Sequence, residues 1–321
     1  MRGAVAVLLL ALASTTGAPA PAAAAPIQRT FVASYGQDSN PCSRTAPCRT
    51  FAVALANTNP DGEVIVLDSA GYGAFTIGQG VTIVAPPGVY GGISVFSGSG
   101  ITVNTTHNVT LRGLTLNGQG GTTGITLTQV GVLAVEDMTF RGLDGNGIVA
   151  WPATGKLVVD RSVFSDITPA VLGTGLVAGI DVSISRSSFL NVALGVLAYD
   201  GAVVTVVDSQ FESNDAGIQA STATGEKAIV ACSLCTFFDD QNGVVAKGPG
   251  STVRVSASGA FGGHAPILSQ TSAVAIVTDS HLVANTGALS HFTGGSIVSF
   301  GDNRIDPNTN PSSFTGNLSL Q

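Results

Sequence analysis

A short pattern recurs nine times between residues 108 and 305, and any fold for this chain has to give its copies equivalent environments. Each copy is an alternating apolar stretch, a polar or small pair, and a large apolar residue followed closely by Asn, Asp or Gly. In order they read NVTLRGLTL, VLAVEDMTF, KLVVDRSVF, DVSISRSSF, VVTVVDSQF, AIVACSLCTF, TVRVSASGAF, VAIVTDSHL and SIVSFGDNRI. Their last residues serve as anchors: Leu116, Phe140, Phe164, Phe189, Phe211, Phe237, Phe261, Leu282 and Ile305, at intervals of 24, 24, 25, 22, 26, 24, 21 and 23. The anchors span 189 residues in eight intervals, a mean of 23.6. Upstream of most anchors a second short strand opens with Gly and an apolar residue, as at Gly124-Ile125, Gly147-Ile148, Gly195-Val196, Gly217-Ile218 and Gly243-Val244. Each repeat therefore holds about three short strands.

A leucine-rich repeat has a similar period, but it needs a Leu and Asn scaffold with a helical return segment. The intervening residues here are Gly, Thr, Ser and Val. Charged residues make up 10% of the chain, against about a quarter in an average soluble domain. With 41 Gly this excludes a helical bundle. Three strands per repeat with Gly, Asn and Asp corners predict an all-β, parallel β-helix whose coils stack about 4.8 Å apart, with inward side chains in columns. Phe140 through Phe261 are predicted to form one such buried column.

The repeats from about residue 62 to 305 resemble right-handed parallel β-helix proteins of the pectin-lyase-like superfamily. The segment TFVASYGQDSNPCSRTAPCRTFAVALA is similar to the start of many secreted members: a strand, a G-x-D-S-N-P turn, then a short helix. The resemblance implies a solenoid of about nine or ten coils with a short N-terminal capping helix. Thr50 to Asn57, carrying Phe51 and Leu55, is predicted as the helix that covers the open strand edges and apolar columns of the first coil. The expected organisation is a signal peptide at 1–25, the strand and capping helix at 26–61, the repeats at 62–305, and an irregular C-terminal cap at 306–321.

Residues 1–25 read as a secretory leader: Arg2, an apolar run from Ala4 to Ala13, then small residues ending in Ala22-Ala23-Ala24-Ala25. The protein is expected to be secreted or periplasmic, with no membrane insertion and acting as a monomer. The formal charge of −7 and the lack of any Lys/Arg-rich segment argue against nucleic acid and anionic membranes as partners. Four Cys suit an oxidising compartment. Cys42 and Cys48 close a small loop and are the expected disulfide; Cys232 and Cys235 form a C-x-x-C that lacks a second ligand pair or a following helix, and reads as packing or a local disulfide.

Three residues before the anchors, Asp137, Arg161, Arg186 and Asp208 fall in one column. The arginines are candidates for an acidic sugar, but Asp137 with Arg161 and Arg186 with Asp208 are expected to pair across adjacent coils. Three residues after the anchors come Asn214, Asp240, His264 and Asn285, with Asp215 and Asp239 adjacent. Asp239, Asp240 and His264 are the catalytic candidates, since a carboxylate beside an imidazole can act as an acid/base couple. Asn214, Asp215 and Asn285 are binding candidates on the same flank. The competing reading is a turn, because Asn and Asp tolerate left-handed backbone and hydrogen-bond locally. His107, His281 and His291 are scattered and suggest no metal site.

The superfamily resemblance implies lyases or hydrolases of polysaccharides. Asp239-Asp240 resembles the double aspartate of polygalacturonase-like hydrolases, but the N-x-D strand, G-H-G and R-I-K motifs are absent, and Gly263-His264-Ala265 matches only in part. No calcium-binding acidic cluster with an unpaired basic neighbour is evident, so no cofactor is assigned and calcium is left open. The expected function is a non-catalytic scaffold that contacts a polysaccharide or cell-surface glycan, with a polysaccharide lyase or glycoside hydrolase as the alternative.

Overall fold

A computed structural model describes residues 27–167, 170–174, 180–287, 289–305, 307–310 and 313–318. The predicted leader, residues 1–25, lies outside the described residues. The chain is an all-β parallel solenoid whose coils carry three faces. One coil shows the plan: Asp181–Ser185 on a first face, Ser188–Leu190 on an anchor face and Leu194–Tyr199 on a third face. Anchor strands stack into a ten-stranded sheet. The other two faces join into one 21-stranded sheet, because Thr123–Glu136 and Asn146–Asp160 run from the third face into the first without a break.

Stacking forces like to lie over like. Phe140, Phe164, Phe189, Phe211 and Phe237 form a continuous column with ring centroids 4.5 to 5.0 Å apart and interplanar angles of 4° to 14°. The rings explain the recurring glycines of the third face. A Cβ at Gly147, Gly195 or Gly217 would come within 2.9 Å of a ring carbon of Phe164, Phe211 or Phe237.

The column departs from expectation at Phe261. Phe237 pairs with Ala260, and Ala260 with Leu282, so Ala260 is the buried anchor and Phe261 faces outward. The coil compensates for its small anchor: Pro266, buried, takes the register position held by Gly243 in the coil before. A second buried column lies two residues before each anchor. There Met138 N, Ser162 N and Ser187 N donate to the hydroxyls of Ser162, Ser187 and Ser209 one coil on, each at 3.2 Å. Cys235, Ser258 and Ser280 continue the column.

The capping helix spans Phe51–Ala56 and buries Phe51, Ala54 and Leu55. Thr50 caps it by accepting from Val53 N, and Asp38 fixes its approach by accepting from Arg49 N and Thr50 N. Phe51 stacks on Phe75 of the first coils at 4.5 Å. Cys42–Cys48 forms the expected disulfide, and Cys232–Cys235 is a second, spanning a corner. At the far end Gly316–Asn317 pairs with Val298–Ser299, and Phe314 packs partly buried against the core.

Phe189→Ala should lower unfolding free energy by about 3–5 kcal/mol, because it opens a cavity inside the ring column. Phe261→Ala should change it by less than about 1 kcal/mol. Denaturant midpoints of the two variants test the corrected register.

Candidate functional site

Two single-residue corners flank the anchor face. The corner before it uses left-handed backbone at Asp137, Arg161, Arg186, Asp208, Leu234, Ala257 and Asp279, with φ from 44° to 56°. Side chains there point away from the core. Arg161 pairs with Asp137 at 2.7 Å, as expected, and also with Asp160. Arg186 does not pair with Asp208: its partner is Asp160 at 2.6 Å. Asp160 ends a first-face strand one residue off the column, mostly buried, and its carboxylate is shared by both guanidinium groups. Burial alone would raise its pKa, but hydrogen bonds from Ser185 and Arg186 and the charges of Arg161 and Arg186 outweigh that and hold the carboxyl below its usual range. The hydrogen bond from Arg161, helped by its charge, does the same for Asp137. Both arginines are therefore committed to acids of their own chain.

The corner after the anchor face uses left-handed backbone at Gly142, Asp166, Asn191, Ser213, Asp239, Gly262 and Ala284. Asp239 is exposed, and its carboxylate leans over Gly262, where a Cβ would come within 2.2 Å of Oδ1. The following residue turns inward. Val192 N donates to Asn214 Oδ1 at 2.9 Å, Asn214 N to Asp240 Oδ1 at 2.8 Å, Gly263 N to Asn285 Oδ1 at 3.1 Å, and Asn285 N to Asn308 Oδ1 at 2.8 Å. Asn214, Asp240 and Asn285 are thus rungs of a buried ladder, each 1–2% exposed.

The rung after Asp240 is Gly263, and His264 sits one residue beyond it. His264 is exposed, with Nδ1 2.9 Å from Thr286 Oγ1. The structure does not bring the Asp240 and His264 side chains together, because one faces the core and the other solvent. Asp215, Asp239 and His264 remain on the outside of this corner; Asn214 and Asn285 are enclosed. Burial pushes the Asp240 carboxyl up to about 7, with the charges of Asp239 and Glu212 adding to the effect and hydrogen bonds from Asn214 opposing it.

A different place on the anchor face is open. Phe261 follows the true anchor Ala260 in regular register and lays its ring across Gly259, where a Cβ would meet Cε2 at 2.4 Å. Beside it runs a groove of about 580 Å³ lined by Asp208, Leu234, Thr236, Phe261, Asp279 and His281. Phe238 lies next to Phe261 in register and is half exposed. The sequence signal for this site was the small Gly259-Ala260 pair ahead of Phe261, which leaves no large residue at the true anchor position.

Among the described residues no group of three or more His, Cys, Asp or Glu could hold a metal ion. No helix among them is long and apolar enough to cross a membrane.

This geometry defines a right-handed parallel β-helix protein, and a family profile for the right handed beta helix region matches residues 91–234. Among solved structures the chain is similar to a GH136 lacto-N-biosidase from Eubacterium ramulus, at 10% identity over 91% of this chain and 67% of that one, with a TM-score of 0.57. It is also similar to a rhamnogalacturonan lyase, at 13% identity over 88% of this chain and 87% of that one, with a TM-score of 0.49. At such identity the likeness to the biosidase shows the fold alone. No protein of curated function matches the sequence.

Asp160→Asn should cost about 1–3 kcal/mol at neutral pH, since two charged donors lose their acceptor charge. Because the folded pKa of Asp160 is depressed, its contribution is present above the unfolded value and lost as pH falls. The variant should therefore show a shallower loss of stability than wild type on acidification below about pH 4, measured by urea melts.

Proposed function

We propose that the protein is an exported scaffold that binds an extended glycan along its anchor face without turning it over. The observation that carries this reading is the Phe261 ring, which lies outside the core over Gly259 beside an open groove lined by both apolar and polar side chains. A sugar ring offers an apolar face and a rim of hydroxyls. Phe261 supplies a surface for the first, while Asp208, Asp279, Thr236 and His281 supply acceptors and donors for the second. Parallel stacking repeats the anchor strand about every 4.8 Å, so the surface continues beyond one sugar in both directions. The two disulfides and the leader-like residues 1–25 support an extracellular setting.

A polysaccharide lyase or glycoside hydrolase acting through Asp239 and His264, perched on the outer corner with Asp215, is the second reading. The fold's likeness to the biosidase favours keeping it. Asp240 takes no part in that arrangement, since its carboxylate faces the ladder.

Affinity electrophoresis against neutral and acidic polysaccharides tests the binding surface. Phe261→Ala should weaken retention about tenfold, as loss of one stacking surface predicts. Gly259→Val, which displaces the ring, should act in the same direction. Unchanged retention in both variants would sink the anchor-face reading. New reducing ends or unsaturated products that vanish in Asp239→Asn would establish the enzyme instead.

A further inference from the structure

An acid with a near-neutral pKa on a polysaccharide-processing fold invites a catalytic role, but the ladder around Asp240 points elsewhere. At three other rungs the residue is asparagine, and each does two things. Its Oδ1 accepts from the backbone N–H of the rung before, and its Nδ2 donates to the carbonyl of the preceding anchor: Asn214 to Phe189 O at 3.2 Å, Asn285 to Ala260 O at 3.0 Å, and Asn308 to Leu282 O at 2.8 Å. Asp240 keeps the first bond, to Asn214 N. Its Oδ2 occupies the place of the amide nitrogen and is buried without a partner. By register the atom it faces is Phe211 O, a second acceptor.

We infer that Asp240 is a protonated stand-in for asparagine, donating from Oδ2 to Phe211 O, and that its ionisation loosens this coil as pH rises. Two facing acceptor oxygens repel when both are buried, whereas a proton between them completes the rung. Hydrogen bonds from Asn214 favour the charge, but burial and the neighbouring acids outweigh them. Glu212 on the strand below and Asp239 on its own corner are acids, as is the exposed Asp215. His264 on the coil above is turned outward to Thr286. Among the described residues no basic side chain pairs with Asp240.

The sign follows from linkage. The folded pKa lies above the unfolded one, so the native state binds the extra proton; the stabilisation is full below the unfolded value and disappears as pH climbs through about 7. The coil concerned carries Phe238 and adjoins the one carrying Phe261, so pH acts on the stretch that bears the proposed glycan surface. The inference itself does not depend on glycan binding.

The test is thermal and urea unfolding of the intact, disulfide-bonded protein and of Asp240→Asn between pH 5 and pH 8. For wild type the folding constant should fall about tenfold more between pH 6 and pH 8 than for the variant, which holds a permanent donor. Asp240→Asn should be the more stable protein at pH 8. A second readout needs no folded variant: the carbonyl stretch of a buried protonated carboxyl in wild-type infrared difference spectra, lost with a midpoint near neutrality. A variant that keeps the wild-type pH slope, or is the less stable protein at pH 8, overturns the inference. So does a wild-type protein with no such stretch at pH 5.

Discussion

Every coil of this protein lies on its neighbour in parallel register, so a side chain that points inward is capped above and below by the corresponding side chains of the next coils. Residues in such a column constrain one another directly. The five phenylalanine rings sit 4.5 to 5.0 Å apart because the coil repeat brings them to that spacing, which also suits flat stacking. The same constraint reaches across the core to the third face, where glycine gives room to a ring. It also explains the exchange at the seventh anchor, where Ala260 and Pro266 replace the combination of Phe237 and Gly243.

The corners obey a related rule. A single left-handed residue turns the chain on each side of most anchor strands, and the residue after the turn faces the core with a backbone N–H that must be paired. Serine hydroxyls answer this on one side of the anchor face and asparagine amides on the other. Polar residues in this chain are therefore of two kinds that look alike in one dimension. Asp239 and Asp240 are adjacent, yet one leans over Gly262 in solvent and the other is enclosed in a ladder with a raised pKa. Burial and lack of a counter-charge account for that shift, which by itself is no sign of chemistry.

The period, the apolar alternation and the corner residues made the solenoid, the capping helix at Phe51–Ala56 and the Cys42–Cys48 bridge legible in advance. The column through Asp137, Arg161, Arg186 and Asp208 followed from the same count, whereas its left-handed backbone emerged only from the structure. The candidate site was less legible, and the reason is one residue of register. Aligning coils on their bulkiest residue chose Phe261 over Ala260, which carried His264 into the ladder in place of Gly263 and hid the open ring on Gly259. The buried serine two residues before several anchors, as at Ser209, Ser258 and Ser280, was the better guide, since its hydrogen bonds fix the phase whatever the size of the anchor.

Local pattern by itself determined that this chain is a stack of short parallel strands with an apolar interior, because alternation and corner residues act over a few positions. Tertiary stacking decided which polar groups face water. Arg186 found Asp160 and not Asp208, and Asp240 lost its exposure to the core, because each of these outcomes depends on what the neighbouring coil places within about 5 Å. Sequence spacing counts residues along one coil, whereas a ladder is read across several.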